Sequence, residues 1–178
     1  MRWFWIDRFT EFVSGERASS VKCVSLVEEY VDGYFPGSPM MTPSFVIEGF
    51  AQTGGILIGQ QSDFLERVVL AKIGKSKFHF YARPGDKLTY SVKLETLKSD
   101  GGLVTATSHV GDRLQAEAEL TFAHVDASVR GTGTFFVPAE FLRMLRIFRL
   151  FDVGVNPDGT PIKIPQHLLD EETLDLAS

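Results

Sequence analysis

The strongest constraint on the fold of this 178-residue chain is one apolar stretch, residues 44–64, which several glycines interrupt. Thr42 and Pro43 precede it and are typical of a helix start, because threonine caps a first turn and proline needs no N–H there. The residues that follow are apolar on nearly every side, which predicts a buried helix. Each glycine costs up to about 1 kcal/mol relative to alanine inside a helix, so we expect a sheet to pack closely around it.

The residues after this helix supply such a sheet. Four segments alternate between apolar and polar residues as strands do, and turn residues separate them: 68–81, 87–98, 103–110 and 113–125. Gly111 and Asp112 form the last connection, a two-residue loop with glycine first that is typical of a tight hairpin. A valine-rich segment before the helix, residues 21–31, predicts a further strand. One long buried helix with a meander of strands indicates an α+β fold.

Composition excludes several classes of protein. Apolar residues make up 44% and charged residues 23%, which suits a folded domain with a core. The formal charge is −5 and the basic residues are spread along the chain, so we expect no nucleic-acid partner. No segment approaches the roughly 20 apolar residues that cross a bilayer, and the charged start argues against a secretory signal. The single cysteine, Cys23, excludes an internal disulfide and indicates the cytoplasm.

Glu48 is the first candidate for chemistry, because it lies between Ile47 and Gly49 on a helix that should be central and dry. Burial disfavours the charged form of a carboxylate, which suits such a group to act as an acid near neutral pH. The alternatives are a glutamate on a solvated strip of the helix and one neutralised by a buried arginine. Both interpretations stay open at this point, since buried carboxylates occur at active sites and also in structural networks.

Residues 33–55, GYFPGSPMMTPSFVIEGFAQTGG, resemble the signature of the bacterial 3-hydroxyacyl-acyl-carrier-protein dehydratases of type II fatty-acid synthesis. In that family a His-Phe-Pro-Gly loop is followed, fourteen residues after the His, by a helical acid and then by an Ala-Gln pair. Here Phe35-Pro36-Gly37 match the loop, Glu48 has the expected spacing, and Ala51-Gln52 follow it. The resemblance implies the hotdog fold, in which an antiparallel sheet wraps one long helix, and a homodimer or an oligomer built of dimers.

The flanking segments carry the same resemblance. Trp5-Ile6-Asp7-Arg8 near the start and Arg83-Pro84-Gly85-Asp86 after the helix both agree with the family, so the match covers roughly residues 3–126. It implies an acyl thioester substrate on acyl carrier protein or coenzyme A, and no cofactor. No pair of histidines or acids has metal-ligand spacing, so we expect no metal either.

The reaction that the resemblance implies is a syn elimination of water from a (3R)-3-hydroxyacyl thioester. In the family, the His removes the proton beside the thioester carbonyl, and the acid of the partner subunit helps the hydroxyl leave. By this resemblance Glu48 is the acid, and Tyr34 stands in the place of the base. Backbone N–H groups at the helix start stabilise the developing oxyanion. The residues expected to bind substrate are Phe35, Gly37, Ser44, Phe45, Gln52, Phe78, Phe80 and Tyr81.

Two departures from the family fall on this catalytic machinery. A phenol such as that of Tyr34, with an ordinary pKa near ~10, is about one part in a thousand ionised at pH 7. Pro43 replaces the glycine whose N–H would face the thioester oxygen, and losing one such donor costs about 3 kcal/mol in the transition state. The N–H and hydroxyl of Ser44 are the candidate substitutes. The alternatives are therefore an acyl-thioester-binding module with impaired catalysis and a hotdog thioesterase that uses Glu48 alone.

The chain changes character near its C-terminal end, so we predict a hotdog dehydratase-like domain at residues 1–127 and an extension at 128–178. The extension should begin with a linker, continue as a helix from Pro138 and end in a loosely attached acidic tail. Residues 141–151 carry a basic side chain at every third position and are otherwise apolar: the three are Arg143, Arg146 and Arg149. This strip is either a solvated rim or a docking surface for an acidic carrier protein or anionic lipid.

Overall fold

A long helix lies against one face of a seven-stranded sheet in the computed structural model, which describes residues 4–33, 37–125 and 137–177. The elements, in chain order, are β1 Arg8–Val13, β2 Arg17–Cys23, α1 Glu29–Gly33, α2 Pro43–Gly59 with a 3-10 turn at Gln60–Ser62, β3 Arg67–Phe78, β4 Lys87–Lys98, β5 Gly101–Val110, β6 Arg113–Val125, α3 Pro138–Ile147, α4 Leu150–Val153, β7 Gly154–Val155 and α5 Gln166–Ala177. In this described part of the chain, no helix combines the length and the hydrophobicity that a membrane span requires.

The strands follow one another in the order β3-β6-β5-β4-β2-β1-β7. Every neighbouring pair is antiparallel except β1 and β7, which are parallel. In β5 the side chains of Val104 and Ala106 are buried while those of Thr105 and Thr107 are not, as expected for a sheet with one face against the core. The α+β hotdog arrangement is therefore confirmed, with a short parallel strand added at one edge.

The glycines of α2 lie where the sheet comes closest to the helix. A Cβ atom placed on Gly49 would lie 2.5 Å from Cε2 of Tyr90 on β4, and one on Gly54 would lie 3.2 Å from Cε2 of Phe122 on β6. Both rings are buried. The expectation that the helix tolerates glycine because a sheet packs closely against it is confirmed.

The strand predicted for residues 21–31 is wrong beyond Cys23, where β2 ends. From there the Val24 N–H donates to the Asp86 carbonyl instead of continuing the ladder, and the turn that follows places Val27 at 89% exposure. Helix α1 begins two residues later. The valine content was misleading because the valines of this segment do not share one face of a strand.

The C-terminal extension packs onto the domain. Helix α3 begins at Pro138 as predicted, but Arg149 adopts a left-handed conformation with φ of 58°, which separates α3 from α4. Strand β7 then pairs with β1, and Ile162 and Leu168 are buried in the core. The prediction of a loosely attached tail is therefore wrong, because it weighed the acidic residues and overlooked the apolar ones between them. The predicted linker at 128–133 lies outside the described residues.

Candidate functional site

The start of α2 presents a short set of hydrogen-bond donors. Thr42 occupies the N-cap position in an extended conformation, and its hydroxyl shares a 2.8 Å hydrogen bond with the Ser44 hydroxyl instead of capping the helix. Pro43 is the first helical residue and has no N–H. The Ser44 N–H lies in the first turn, where a helix offers no acceptor of its own, and the Ser44 side chain is exposed. That the Ser44 donors replace the missing N–H of Pro43 stays a prediction.

Glu48 lies one turn further along α2, partly buried, and is held by a chain of two hydrogen bonds. The Gln52 amide donates from Nε2 to Oε1 of Glu48 at 3.1 Å, and the backbone N–H of Trp5 donates to Oε1 of Gln52 at 2.9 Å. Because a backbone N–H can only donate, it determines which end of the Gln52 amide faces Glu48. The Gln52 amide therefore fixes the orientation of the Glu48 carboxyl group.

An aromatic cluster links α1 to α2 beside this chain. The Trp5 ring stacks on Phe45 with centroids 3.9 Å apart and 5° between the planes. Tyr30 of α1 lies 4.9 Å from Trp5 and 5.0 Å from Phe45. Phe45, predicted to bind substrate, is thus a buried packing residue of the cluster. The cluster therefore holds α1 against the first turn of α2.

The loop predicted to carry the base is only partly described. Tyr34 and Phe35 lie outside the described residues. Gly37, which follows them, is exposed in a turn with φ of +78°, a conformation that favours glycine. The structure therefore places Glu48, Gln52 and Ser44 on one helix, whereas the position of Tyr34 relative to them stays a prediction.

The segment after β3 forms a surface cavity of about 520 Å³. Phe80 and Tyr81 line it, as do two arginines far apart in the chain, Arg83 before β4 and Arg113 at the start of β6. Phe78 lies outside this cavity, partly buried on the sheet face that carries its cross-strand partner Ala116. Arg83 and Arg113 were not predicted as site residues, since no local pattern brings two residues so distant in sequence together.

The buried side chain of Lys22 forms ion pairs with Glu28, in the turn before α1, and with the more exposed Asp7. Lys22 donates from Nζ to Oε1 of Glu28 at 2.5 Å and lies 3.4 Å from Oδ1 of Asp7, whose other oxygen accepts the Cys23 N–H at 2.7 Å. Burial alone would lower the pKa of Lys22, but the hydrogen bond to Glu28 and the charges of Asp7 and Glu28 outweigh it and raise the pKa above its ordinary value. These ion pairs were not predicted from the sequence, where their signal is a lysine, Lys22, between Val21 and Cys23 of a strand.

The three arginines predicted as one docking strip are divided between different local structures. Arg146 of α3 forms an ion pair with Glu172 of α5, and Arg149, beyond the end of α3, pairs with Asp152 at 2.9 Å. The single helix predicted over 141–151 is therefore wrong, because the backbone turns at Arg149. Arg143 is exposed on α3. A docking role for these three residues stays a prediction.

Comparison with known proteins identifies related chains. Residues 3–119 match the family model described as FabA-like domain. A protein of Symbiobacterium thermophilum named 3-hydroxyacyl-[acyl-carrier-protein] dehydratase FabZ is 36% identical over 124 residues, which cover 69% of this chain and 87% of that protein. A protein of the same name from Chloroflexus aggregans is 38% identical over 122 residues, 68% of this chain and 85% of the relative.

Solved structures share the fold at lower sequence identity. The dehydratase heterocomplex ApeI:P from Xenorhabdus doucetiae aligns with a TM-score of 0.60 and 13% identity, over 70% of this chain and 85% of that one. The residues that match the family model end within β6. The helices and strand of the C-terminal extension therefore lie beyond them.

Proposed function

The chain belongs to the FabA-like domain family, and from that premise we propose that it removes water from 3-hydroxyacyl thioesters in fatty-acid or related lipid synthesis. The thioester is carried on acyl carrier protein or coenzyme A. Glu48 is the acid and Tyr34 occupies the place of the base. The single cysteine, Cys23, is consistent with a reaction in a reducing cytoplasm.

The observation that carries this proposal is the hydrogen-bond chain from the Trp5 backbone through Gln52 to Glu48. In the proposed reaction a base removes the proton next to the thioester carbonyl, and the carbon–oxygen bond to the hydroxyl breaks as the double bond forms. Glu48 gives its proton to the departing hydroxyl, which leaves as water. Donors at the start of α2, the Ser44 N–H and hydroxyl, stabilise the negative charge on the thioester oxygen.

The acting unit is proposed to be a homodimer, formed along β3. This strand is an edge of the sheet in the described chain, and Ile73 on it is 48% exposed. Its cross-strand partner Leu120 is fully buried on the same face of the sheet. Because cross-strand partners share a face, Ile73 belongs to the core face of the sheet but is not covered by its own α2. In the proposed dimer, Tyr34 of one copy acts together with Glu48 of the other.

A second candidate function is an acyl-thioester-binding module with impaired catalysis, and one observation favours it. Pro43 is the first residue of α2 and removes an N–H where the oxyanion would bind. Such a protein would bind the acyl thioester without dehydrating it.

The deciding experiment is an assay with a 3-hydroxyacyl carrier-protein substrate in which enoyl product and free thiol are followed in parallel. Enoyl product supports the dehydratase proposal. Release of thiol without enoyl product would instead identify a thioesterase that uses Glu48 alone. Saturable binding with neither product would identify a binding module.

Glu48→Gln should lower enoyl formation at least ~100-fold, because general acid catalysis contributes about 10²- to 10⁴-fold. The melting temperature should stay the same or rise, since a partly buried charge is replaced by a neutral amide. Glu140→Gln, an exposed carboxylate on α3, is the matched control and should retain full activity. An active Glu48→Gln protein would remove Glu48 from the mechanism.

A further inference from the structure

We infer that the cavity after β3 binds the phosphate of the 4′-phosphopantetheine arm that carries the acyl thioester. We call it the Arg83–Arg113 cavity; the side chains that line it include those of His79, Phe80, Tyr81, Arg83, Asp86 and Arg113. The inference rests on the proposed function, because only an acyl thioester on carrier protein or coenzyme A brings such an arm to the protein.

Two arginines from different parts of the chain line the cavity, Arg83 in the β3–β4 connection and Arg113 at the start of β6. A guanidinium presents paired N–H donors in a plane that match two oxygens of a phosphate. The Arg113 guanidinium lies over the Phe80 ring at 4.2 Å from its centroid, which restricts its orientation before any ligand arrives. Arg113 is therefore held in place before a phosphate binds.

The other charged groups that line the cavity leave it positive. Asp86 is the carboxylate among its lining residues, and one of its oxygens already accepts the backbone N–H of Arg83 at 2.8 Å. His79 contacts Glu117 of β6 at 3.2 Å, on the edge of the site. The lining residues therefore include two arginines and one aspartate, whose carboxylate already accepts a hydrogen bond within a turn.

The chain around the cavity adds to this positive charge. Residues 75–87, at the end of β3 nearest the cavity and in the connection to β4, contain four of the eighteen basic residues and one acidic residue, Asp86, in a chain whose formal charge is −5. Concentrated charge of one sign raises the local concentration of an oppositely charged partner and its rate of association. The sequence-based view that basic residues are merely spread along the chain overlooked this concentration.

The cavity lies beside the proposed reaction site. Ala82, between Tyr81 and Arg83, accepts a 2.8 Å hydrogen bond from the backbone N–H of Met41, which immediately precedes the N-cap of α2. A thioester whose oxygen meets the donors of Ser44 can thus direct its arm across this backbone contact towards the two arginines. Phe80 and the exposed Tyr81 offer an apolar wall to the pantetheine between the two ends. Binding energy from this remote phosphate would hold the reacting carbons in place.

The test is a comparison of dissociation constants for ligands that differ by the phosphate and that cannot be dehydrated. Hexanoyl-pantetheine, hexanoyl-4′-phosphopantetheine and hexanoyl-coenzyme A lack the 3-hydroxyl group, so binding is measured by calorimetry without turnover. The wild-type protein should bind hexanoyl-4′-phosphopantetheine about 10- to 100-fold more tightly than hexanoyl-pantetheine. Hydrogen bonds to charged groups contribute a difference of this size.

The double variant Arg83→Gln/Arg113→Gln should lose this preference and retain the affinity for hexanoyl-pantetheine. Both residues are exposed, so the variant should fold, which its melting temperature and oligomeric state will verify. The matched control is Arg17→Gln, which removes a guanidinium from a second cavity of about 310 Å³ on the outer face of the sheet. The control should retain the preference for the phosphate.

Two further ligands distinguish the sources of the phosphate: hexanoyl-coenzyme A and hexanoyl-carrier protein. If the site recognises the arm itself, the double variant weakens binding of hexanoyl-coenzyme A and of hexanoyl-carrier protein alike. A loss confined to the carrier protein would mean that the arginines contact the protein surface, and it would overturn the inference. A wild-type protein without preference for the phosphate would overturn it too. A preference for the phosphate without enoyl product from 3-hydroxyacyl carrier protein would leave this site standing and refute the proposed dehydration.

Discussion

Glu48 and Gln52 lie four residues apart on α2, a spacing at which side chains of one helix face meet. This spacing is sufficient to predict the hydrogen bond between them, although Gln52 was instead predicted to contact substrate. The bond from the Trp5 backbone to Gln52 joins residues 47 positions apart, and no local pattern predicts it. The contact by which Trp5 orients Gln52 was therefore not predicted from the sequence.

Restoring the family residues at positions 34 and 43 should raise dehydration. Tyr34→His supplies an imidazole, which with a pKa near ~6.5 is largely unprotonated at neutral pH. Pro43→Gly restores an N–H at the start of α2, which is worth up to about 10²-fold in rate, and it should lower stability by about 1 kcal/mol because the chain gains flexibility. The double variant should exceed either single change, as measured by the rate of enoyl formation.

Two results would contradict this expectation. One is a wild-type protein that already turns over 3-hydroxyacyl thioesters at about 1–10³ per second, the range typical of enzymes. The other is a Tyr34→His/Pro43→Gly protein that folds and dimerises but forms no enoyl product. Tyr34→Phe is the matched control, because it keeps the ring and removes only the hydroxyl.

At the scale of elements, α2 is positioned by how closely β4 and β6 approach it. Its apolar surface predicted burial, and its glycines predicted close packing, but the partner of each glycine depends on sheet register. Tyr90 meets Gly49, and Phe122 meets Gly54 and Gly55. A Cβ atom would have less space at Gly49 than at Gly55.

Gly49→Ala should destabilise the protein by about 1–3 kcal/mol, the usual cost of overpacking, because its Cβ would lie 2.5 Å from the buried Tyr90 ring. Gly55→Ala is the matched change on the same helix. Its Cβ would lie 3.4 Å from Phe122, so the higher helix propensity of alanine should dominate and add up to about 1 kcal/mol. Urea denaturation measures both free energies of unfolding. Equal effects of the two substitutions would contradict this account of the packing.

The Lys22–Glu28 pair joins β2 to the turn before α1, and its contribution to the free energy of unfolding should fall at alkaline pH. The pKa of Lys22 is raised in the folded protein, so the stability it provides is present below its unfolded pKa of about 10.4 and is lost as the pH rises through the folded value. Lys22→Met should cost about 1–3 kcal/mol, because Glu28, whose side chain is 21% exposed, keeps a partly buried charge without this cation.

Melting temperatures between pH 8 and pH 12 test this prediction. The alkaline loss of stability in the wild-type protein should be smaller in Lys22→Met. Lys93→Met removes an exposed lysine, 69% accessible and paired with Glu95, and should change stability by less than about 1 kcal/mol. An identical pH profile of wild type and Lys22→Met would contradict the role of this pair.

At the scale of the whole molecule, the two edges of the sheet are unequal. One edge is the twelve-residue β3, whereas the other is the two-residue β7, which the C-terminal extension supplies. Long unpaired edges favour association with another strand, and short ones discourage it. The extension therefore leaves β3 as the edge suited to pairing with a second copy.

Ile73→Lys should weaken the proposed dimer at least ~100-fold, because a charge would have to be buried where the second copy covers β3. Leu97→Lys changes a comparably exposed apolar residue, 41% against 48%, on β4 and should leave the dimer intact. Analytical ultracentrifugation over a range of concentrations measures both. A dimeric Ile73→Lys protein would place the subunit contact elsewhere.

Local rules were sufficient to predict α2 from its proline start and apolar surface, and β4 and β6 at Lys87–Lys98 and Arg113–Val125 from their alternation. These features follow from backbone geometry within a few residues, which a sequence displays directly. The pairing of Lys22 with Glu28, the contact of Trp5 with Gln52 and the convergence of Arg83 with Arg113 were decided only by the tertiary structure. Each depends on how separate segments are brought together by burial of the core, and burial is a property of the whole sheet and helix rather than of any one segment.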